Sequence, residues 1–409
     1  MALDLTSFES ALKEHYTNDA VLDLVYADRP FLALIDKMED FGGKVLPIPI
    51  IWGNPQGRSA TFSNAQTRGA VSSTSISDFV LTRVRDYQIV TIDEETLRAS
   101  EGNANSFMEA VTTEIDGGTN NLSNSLASAM FRKASGSIGQ VSVEPTEAAG
   151  SYVVKLSRAS DVCSFAVGQV LVIWSAETGG SQRSSDGSDL NWVVEGVDRD
   201  LGNLELTGTY SASGTIAAND FIFVEGDRGN RMSGLLDWLP PTTPSSTPFF
   251  GVDRTVDTRL SGIRFDGSNQ PIEEALTDAA SRLAREGAKP THVIMSFEKY
   301  AELEKSLGSK VQYVDLKVSA EVGFRGIVIN GPKGPIKVLA DQNCPGGYAF
   351  MLQLNTWKLY SLGKAVSITD TDGNRMLRQA SADGVEVRMA FYGNLGCRAP
   401  GYNAVITLG

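Results

Sequence analysis

The chain has 409 residues, 42% of them hydrophobic and 21% charged, which is the balance of a folded protein with two or three cores. Its net charge of −13 argues against tight wrapping of nucleic acid, which needs many Lys and Arg on phosphates, and is compatible with lying near DNA without gripping it. No apolar run reaches the ~18 residues of a membrane span, no basic-then-apolar leader opens the chain, and Cys163, Cys344 and Cys397 stand singly, so a disulfide framework is not expected and a reducing place of synthesis is.

Residues 1–41 read as helical and irregular. Thr6-Ser7-Phe8-Glu9 is a capping box for a short helix through Leu12 and Tyr16. Asn18 or Asp19 can cap a second helix that stops before Pro30, and Phe31, Leu34, Ile35 and Met38 continue an apolar face. Residues 42–91 read as a long two-stranded arm. Leu46, Ile48 and Ile50 alternate with Pro47 and Pro49, and prolines at alternate positions remove ladder donors, which places this strand at an edge or in an isolated ribbon. The return strand is expected over about 78–90, with Phe79, Leu81, Tyr87 and Ile89 on one side. The connection from Gly53 to Ser77 is rich in Gly, Ser, Thr, Asn and Gln. A ribbon of this kind is marginal alone in water, so its order is expected to come from partners.

A short helical turn at Asp93-Glu94-Glu95 leads into a helix over 105–132. Phe107, Val111, Ile115, Gly118, Leu122, Leu126 and Ala129 recur at steps of three and four, a helical period, and polar residues fill the other faces. At 1.5 Å per residue that helix is roughly 40 Å long. Gly117 and Gly118 each cost about 1 kcal/mol there relative to alanine. They require support from neighbours, a close approach or a bend.

Residues 137–227 change character. Roughly six strands, at 152–156, 165–167, 169–174, 192–197, 203–206 and 221–224, follow one another with turns such as Gly179-Gly180 and Asp186-Gly187 and no helix between them. That spacing describes a small β-barrel or sandwich inserted in a host domain. A proline-rich loop runs from Pro240 to Pro248. Residues 269–361 form an α/β region. Pro271 suits a first helical position ahead of Ile272, Ala275, Leu276, Ala279 and Leu283, and Gly287 closes that helix. Val293-Ile294-Met295 is a buried strand, Ser296 caps a further helix, and 326–330 and 336–339 flank a hairpin turn. Strands at 366–368, 376–379, 385–391 and 404–408 end the chain.

Chemistry is sparse. Any Ser-His-Asp or Cys-His arrangement must use His15 or His292, and both read as structural histidines. Asp370-Thr371-Asp372-Gly373-Asn374 has its glycine too early for a calcium loop and lacks the twelfth-position glutamate, so it reads as a turn. Gly331-Pro332-Lys333-Gly334 lacks phosphate-loop spacing. Arg83 and Arg85 can meet acidic neighbours on another chain or serve as solvated edge charges. The tryptophans at 52, 174, 192, 238 and 357 read as core or interface residues. No catalytic residue, cofactor or metal is expected.

This order of parts resembles that of tailed-bacteriophage major capsid proteins, which share the Hong Kong 97 fold. Gly234-Leu235-Leu236, Phe250-Gly251-Val252-Asp253-Arg254, Leu260-Ser261-Gly262, Lys289-Pro290-Thr291, Ser296-Phe297-Glu298-Lys299-Tyr300, Tyr392-Gly393-Asn394 and Pro400-Gly401-Tyr402-Asn403 resemble local text of that family. The resemblance covers about four-fifths of the chain and lies in the order of parts. It implies an α+β capsid fold with an inserted β-domain. Residues 1–41 are then an N-terminal arm and 42–91 an extended loop laid over a neighbouring subunit. Residues 92–136 are a peripheral domain with its spine helix, 137–227 the insertion and 228–268 the peripheral return and connector. Residues 269–361 form an axial domain at fivefold and sixfold centres, and 362–409 the last peripheral strands. Contacts between subunits are expected at Phe31, Trp52, Arg58, Phe62, Arg68, Arg83 and Arg85.

The implied protein is a virion shell built of homo-oligomeric pentamers and hexamers, assembled in the host cytoplasm. Its implied partners are portal, scaffolding or protease, and decoration proteins. It encloses double-stranded DNA without sequence-specific binding and without a membrane. Two departures stand out. The namesake's covalent cross-link joins a loop lysine to a neighbour's asparagine, and 45–90 contains no lysine. No long charged helical segment precedes residue 41, so a fused scaffold is not expected. The alternatives are an encapsulin-like nanocompartment shell, disfavoured by the insertion and the connector text, and a hydrolase with an accessory β-domain, disfavoured by the scarcity of histidine.

Overall fold

A computed structural model of the chain describes residues 29–93, 104–148, 151–184, 191–207, 216–307, 313–317, 323–369, 375–379 and 383–409. The helices expected ahead of Pro30, the turn at Glu94-Glu95, His15 and the Asp370–Asn374 turn lie outside these residues. Among the described residues, three sheets and a separate two-stranded ribbon carry the architecture.

The long helix is present as Ala104–Phe131, 28 residues, one position ahead of its expected span. It lies across a six-stranded sheet whose central strand, Gly384–Cys397, pairs with Val84–Asp93 and with Trp357–Ser361. Ile115, Leu122, Leu126, Ala129 and Met130 are buried against that sheet. Thr119 and Ser123 are buried with them and satisfy their hydroxyls on the carbonyls of Ile115 and Thr119, at 2.9 and 2.6 Å. The two glycines separate here. A Cβ on Gly118 would stand 2.6 Å from Val90 Cγ2 and 2.7 Å from Met389 Cε, so only glycine lets helix and sheet approach this closely. Gly117 faces open space, with nothing within 4 Å.

The second sheet has seven strands in the order Ile263–Gly267, Ala404–Leu408, Tyr348–Leu352, His292–Met295, Gly334–Ala340, Gly323–Gly331 and Tyr313–Lys317. Helix Ile272–Arg285 buries Ile272, Ala275, Leu276, Ala279, Ala280 and Leu283 in its core, with Pro271 at the cap and Gly287, at φ +93°, ending it. Ile263–Gly267 and Ala404–Leu408 belong to this sheet, and Trp357–Ser361 belongs to the six-stranded one. The run Ala404-Val405-Ile406 is apolar on both faces, which suits a strand enclosed between two neighbours and two layers.

Residues 137–224 form a sheet of seven strands, from Ser137–Gln140 through Phe221–Val224, Val170–Trp174, Trp192–Asp198, Asn203–Leu206 and Ser151–Lys155 to Thr146–Ala148. A Val141–Leu156 bridge, with Ser142 N–H donating to Lys155 O and Ser157 N–H to Gln140 O at 2.8 Å each, returns the first strand to the sixth and closes a barrel. Tyr152, Phe165, Ile173, Trp192, Leu204 and Ile222 fill it. The strand expected at 165–167 is absent. A 3₁₀ turn, Ala159–Ser164, drops Phe165 into the core and leaves Val167 exposed. First and last strands pair, Phe221 opposite Gln140, so the barrel leaves and rejoins the chain at one place. Arg132–Asp161 and Lys133–Glu177 ion pairs, at 2.9 and 2.8 Å, tie it to the end of the long helix.

Candidate assembly surface

The ribbon consists of Val45–Gly53 and Ser75–Thr82, antiparallel from Val45 opposite Thr82 to Ile51 opposite Ile76. Alternation along each strand separates two faces. Ile48, Ile50, Phe79 and Leu81 are buried against the body, and Val45, Pro47, Pro49, Ile51, Ile76 and Val80 point away from it and are exposed. Val80 donates its N–H to Phe250 O at 2.9 Å, so its backbone turns away from its partner strand. Directly opposite residues of an antiparallel pair face the same way. Pro47 opposite Val80, and Pro49 opposite Asp78, therefore stand where an N–H would point outward. They remove no ladder bond and leave the outer edge poor in donors, which blunts it against edge pairing.

The root of the ribbon is aromatic. Phe79 meets Trp238 at 5.0 Å and Phe249 at 6.4 Å between ring centroids, and Trp238 also packs on Trp357 at 6.2 Å. Phe249 and Val252 exchange both backbone hydrogen bonds around Phe250-Gly251, whose φ values of +48° and +88° make a left-handed two-residue turn. Trp238 Nε1 donates to Leu395 O at 3.1 Å, and Arg254 stacks on Phe249 at 4.0 Å. Burial of Arg254 lowers its pKa to about 10, and Asp237 nearby opposes that shift. Sequence reasoning picked out the Phe250–Arg254 text without seeing that it holds the ribbon. Two positive φ values in a row at a non-proline, aromatic-flanked turn are invisible to periodicity.

Of the seven expected contact residues, three are engaged by their own chain. Phe31 is fully buried within its own chain, 5.2 Å from Phe131, and its N–H donates to the Asp341 carboxylate at 3.2 Å. Apolar burial within the chain already covers the whole ring. Arg83 is partly buried, donates to Phe41 O at 2.9 Å and lies over the Phe41 ring. Trp52 is half-buried, donating to Ser77 Oγ at 3.0 Å, and its carbonyl accepts from Arg259. Arg58, Phe62, Arg68 and Arg85 are exposed. The return strand is also not continuous. At Arg83 it leaves the ribbon and joins the six-stranded sheet, and its phase reverses, so that Val90 and Ile92 are buried while Tyr87 and Ile89, expected on the same side as Phe79 and Leu81, are exposed.

Beyond Gly53 and Ser75 lies the tip. An eight-residue helix, Phe62–Gly69, stands within the Gly- and Ser-rich connection, and none of its residues is buried. Phe62 is 83% exposed and Val71 85%. Elsewhere the chemistry is quiet. His292 is partly buried beside Thr291, and burial lowers its pKa to about 4, so it is neutral at pH 7. Gly331 pairs with Gly334 as a hairpin end. Among the described residues, no group of three or more His, Cys, Asp or Glu is placed to hold a metal.

No protein-family model matches the chain, and no curated protein does. Solved structures match over nearly its full length. The capsid asymmetric unit of cyanophage A-1(L) is 12% identical with a TM-score of 0.50, over 93% of this chain and 92% of that one. A Mycobacterium phage Adephagia structure is 11% identical with a TM-score of 0.43, over 100% and 99%. The holo-SrpI encapsulin complex of Synechococcus elongatus PCC 7942 is 10% identical with a TM-score of 0.44, over 100% and 96%. At such identities the likeness is one of fold, and of these three the first alone reaches a score of 0.5.

Proposed function

We propose, from the premise that the chain has the Hong Kong 97-like capsid fold shared by phage major capsid proteins and encapsulins, that it is the major capsid protein of a tailed bacteriophage. It assembles into the icosahedral shell around double-stranded DNA. That fold is a structural shell fold and not an enzyme family. Residues 1–41 act as the arm, 42–91 as the extended loop, the long helix as the spine, and 137–227 as an insertion. The sheet of residues 263–352 with 404–408 acts as the axial core. The virion is its location, and portal, scaffolding or protease, and decoration proteins are its partners.

The observation that carries this reading is the ribbon, with a buried inner face, an apolar outer face and a tip that buries nothing of its own. Each large apolar side chain covered by another subunit contributes roughly 1.5–3 kcal/mol. Contacts of this head-to-tail kind close into rings and shells when each step turns by a fixed angle. The barrel and the connector around Phe250 favour a phage shell over a nanocompartment. Negative-stain electron microscopy of the purified chain, alone and with its neighbours' gene products, should show closed shells. Particles from cells should contain double-stranded DNA. A chain that stays monomeric in every combination overturns shell assembly, and shells filled with a protein cargo instead of DNA overturn the phage assignment.

A further inference from the structure

We infer that the ribbon tip of one subunit is seated on the acidic barrel of a second copy of this chain. The inference rests on the reading of the ribbon as a bridge between subunits and names the surface at its far end.

Charge is segregated along the chain. Residues 53–77 carry Arg58 and Arg68 and no carboxylate. Residues 137–227 carry thirteen carboxylates and four cations, which is most of the chain's net −13. The tip keeps its hydrogen bonds to itself, as in Gln56 to Asn54 O and Thr67 to Ser63 O. Arg58 and Arg68 are exposed, and among the described residues neither has a carboxylate partner. Beside them Phe62 and Val71 are exposed, so the tip presents guanidinium and apolar surface together.

The barrel presents the complement. Glu195 and Glu205 are exposed on adjacent antiparallel strands. Glu205 lies opposite Gly196, and a Cβ there would stand 2.7 Å from the Glu205 carboxylate, so the glycine leaves room for that carboxylate to lie across the neighbouring strand. Both carboxylates are open to an opposite charge brought from outside. Glu195 accepts a hydrogen bond from Ser151 Oγ at 3.1 Å. The same module exposes Leu201, which follows Asp200 in its turn, and Val167, apolar counterparts for Phe62 and Val71. Two guanidiniums are too few for phosphate-driven binding, in which six to ten contacts are usual, so a nucleic acid fits the tip less well than this protein surface.

The test uses charge exchange in the full chain. Arg58→Glu with Arg68→Glu, and separately Glu195→Lys with Glu205→Lys, should each cut the yield of shells at least tenfold in sedimentation. All four side chains are exposed, so thermal melting of the subunit should be unchanged. The four substitutions combined should restore most of the yield. Normal shells from the arginine variant, or a combined variant no better than either parent, overturn the seating on the barrel. A second measurement serves if the variants fail to assemble. In a Cys163→Ser background, which removes the exposed native thiol, copies with Arg68→Cys are co-assembled with copies with Glu205→Cys and oxidised. Disulfide-linked dimers are expected in the particles, and particles without them contradict the proposal. These results are distinguishable from failure of the underlying reading, which shows itself as normal shells from a chain lacking the tip altogether.

Discussion

The root and the tip of the ribbon are about twenty residues apart in sequence and opposite in physics. At the root Phe79 and Leu81 are fully buried among Trp238, Phe249 and Trp357, and a backbone bond from Val80 to Phe250 fixes the strand. At the tip a helix of eight residues buries none of them. An isolated helix of that length is unstable in water, since nucleation is unfavourable and few bonds follow it. The ribbon as a whole was expected to need partners. Its inner face is covered by its own chain, and its outer face and tip are exposed.

Truncating one side chain in each region separates the two. Trp238→Ala removes the ring on which Phe79, Phe249, Phe250 and Trp357 converge, and should destabilise the subunit by about 3–5 kcal/mol. Phe62→Ala should leave urea unfolding of the unassembled subunit within about 0.5 kcal/mol of the parent, since surface substitutions usually do so. A large loss from Phe62→Ala would place the tip inside the subunit's own fold.

Asp341 offers a pH test of the clamp that holds the segment leading to the root. Burial raises its pKa to about 6, although Asn343, the Phe31 N–H and Arg29 each pull it down. Phe31 and Asn343 donate to its two oxygens. A carboxyl whose pKa is higher folded than unfolded penalises folding when charged. The penalty is complete above about pH 6 and disappears as pH falls toward the ordinary value of 3.8. About two units correspond to roughly 3 kcal/mol as an order of magnitude. Stability from this group therefore rises on acidification between those values. Asp341→Asn should flatten that rise, read from urea midpoints across pH 4–7, and carry a pH-independent loss because its amide NH2 cannot accept from one of the two N–H donors. An unchanged slope sinks the assignment of the shift to Asp341.

The adjacent glycines give a smaller effect than truncating Trp238. Gly118→Ala meets Val90 and Met389 and should destabilise by about 1–3 kcal/mol. Gly117→Ala meets nothing and should stabilise the subunit by up to about 1 kcal/mol. Equal effects from the two would contradict the close approach at Gly118.

Much of this was legible in the sequence, for reasons that differ by element. The long helix announced itself because its three-and-four spacing persists over 28 residues and little else produces that pattern. The ribbon announced itself through Pro47 and Pro49, whose missing donors tolerate only an edge. The barrel's turns were visible, but Ser137–Gln140 and Thr146–Ala148 are too polar to read as strands, and Ala159–Ser164 looks the same as a strand end until Phe165 is seen to turn inward. Sheet membership was not legible. Ala404–Leu408 and Trp357–Ser361 exchange sheets through long-range pairing, which leaves no local trace. The partner switch at Arg83 was hidden for the same reason, since a reversal of phase looks like ordinary alternation on either side.

The most direct measurement removes the tip. A chain lacking residues 54–76 should purify as a soluble subunit with the parent's melting temperature and should form no closed shells in sedimentation or negative stain. Normal particles from that chain would contradict the claim that the tip acts between subunits.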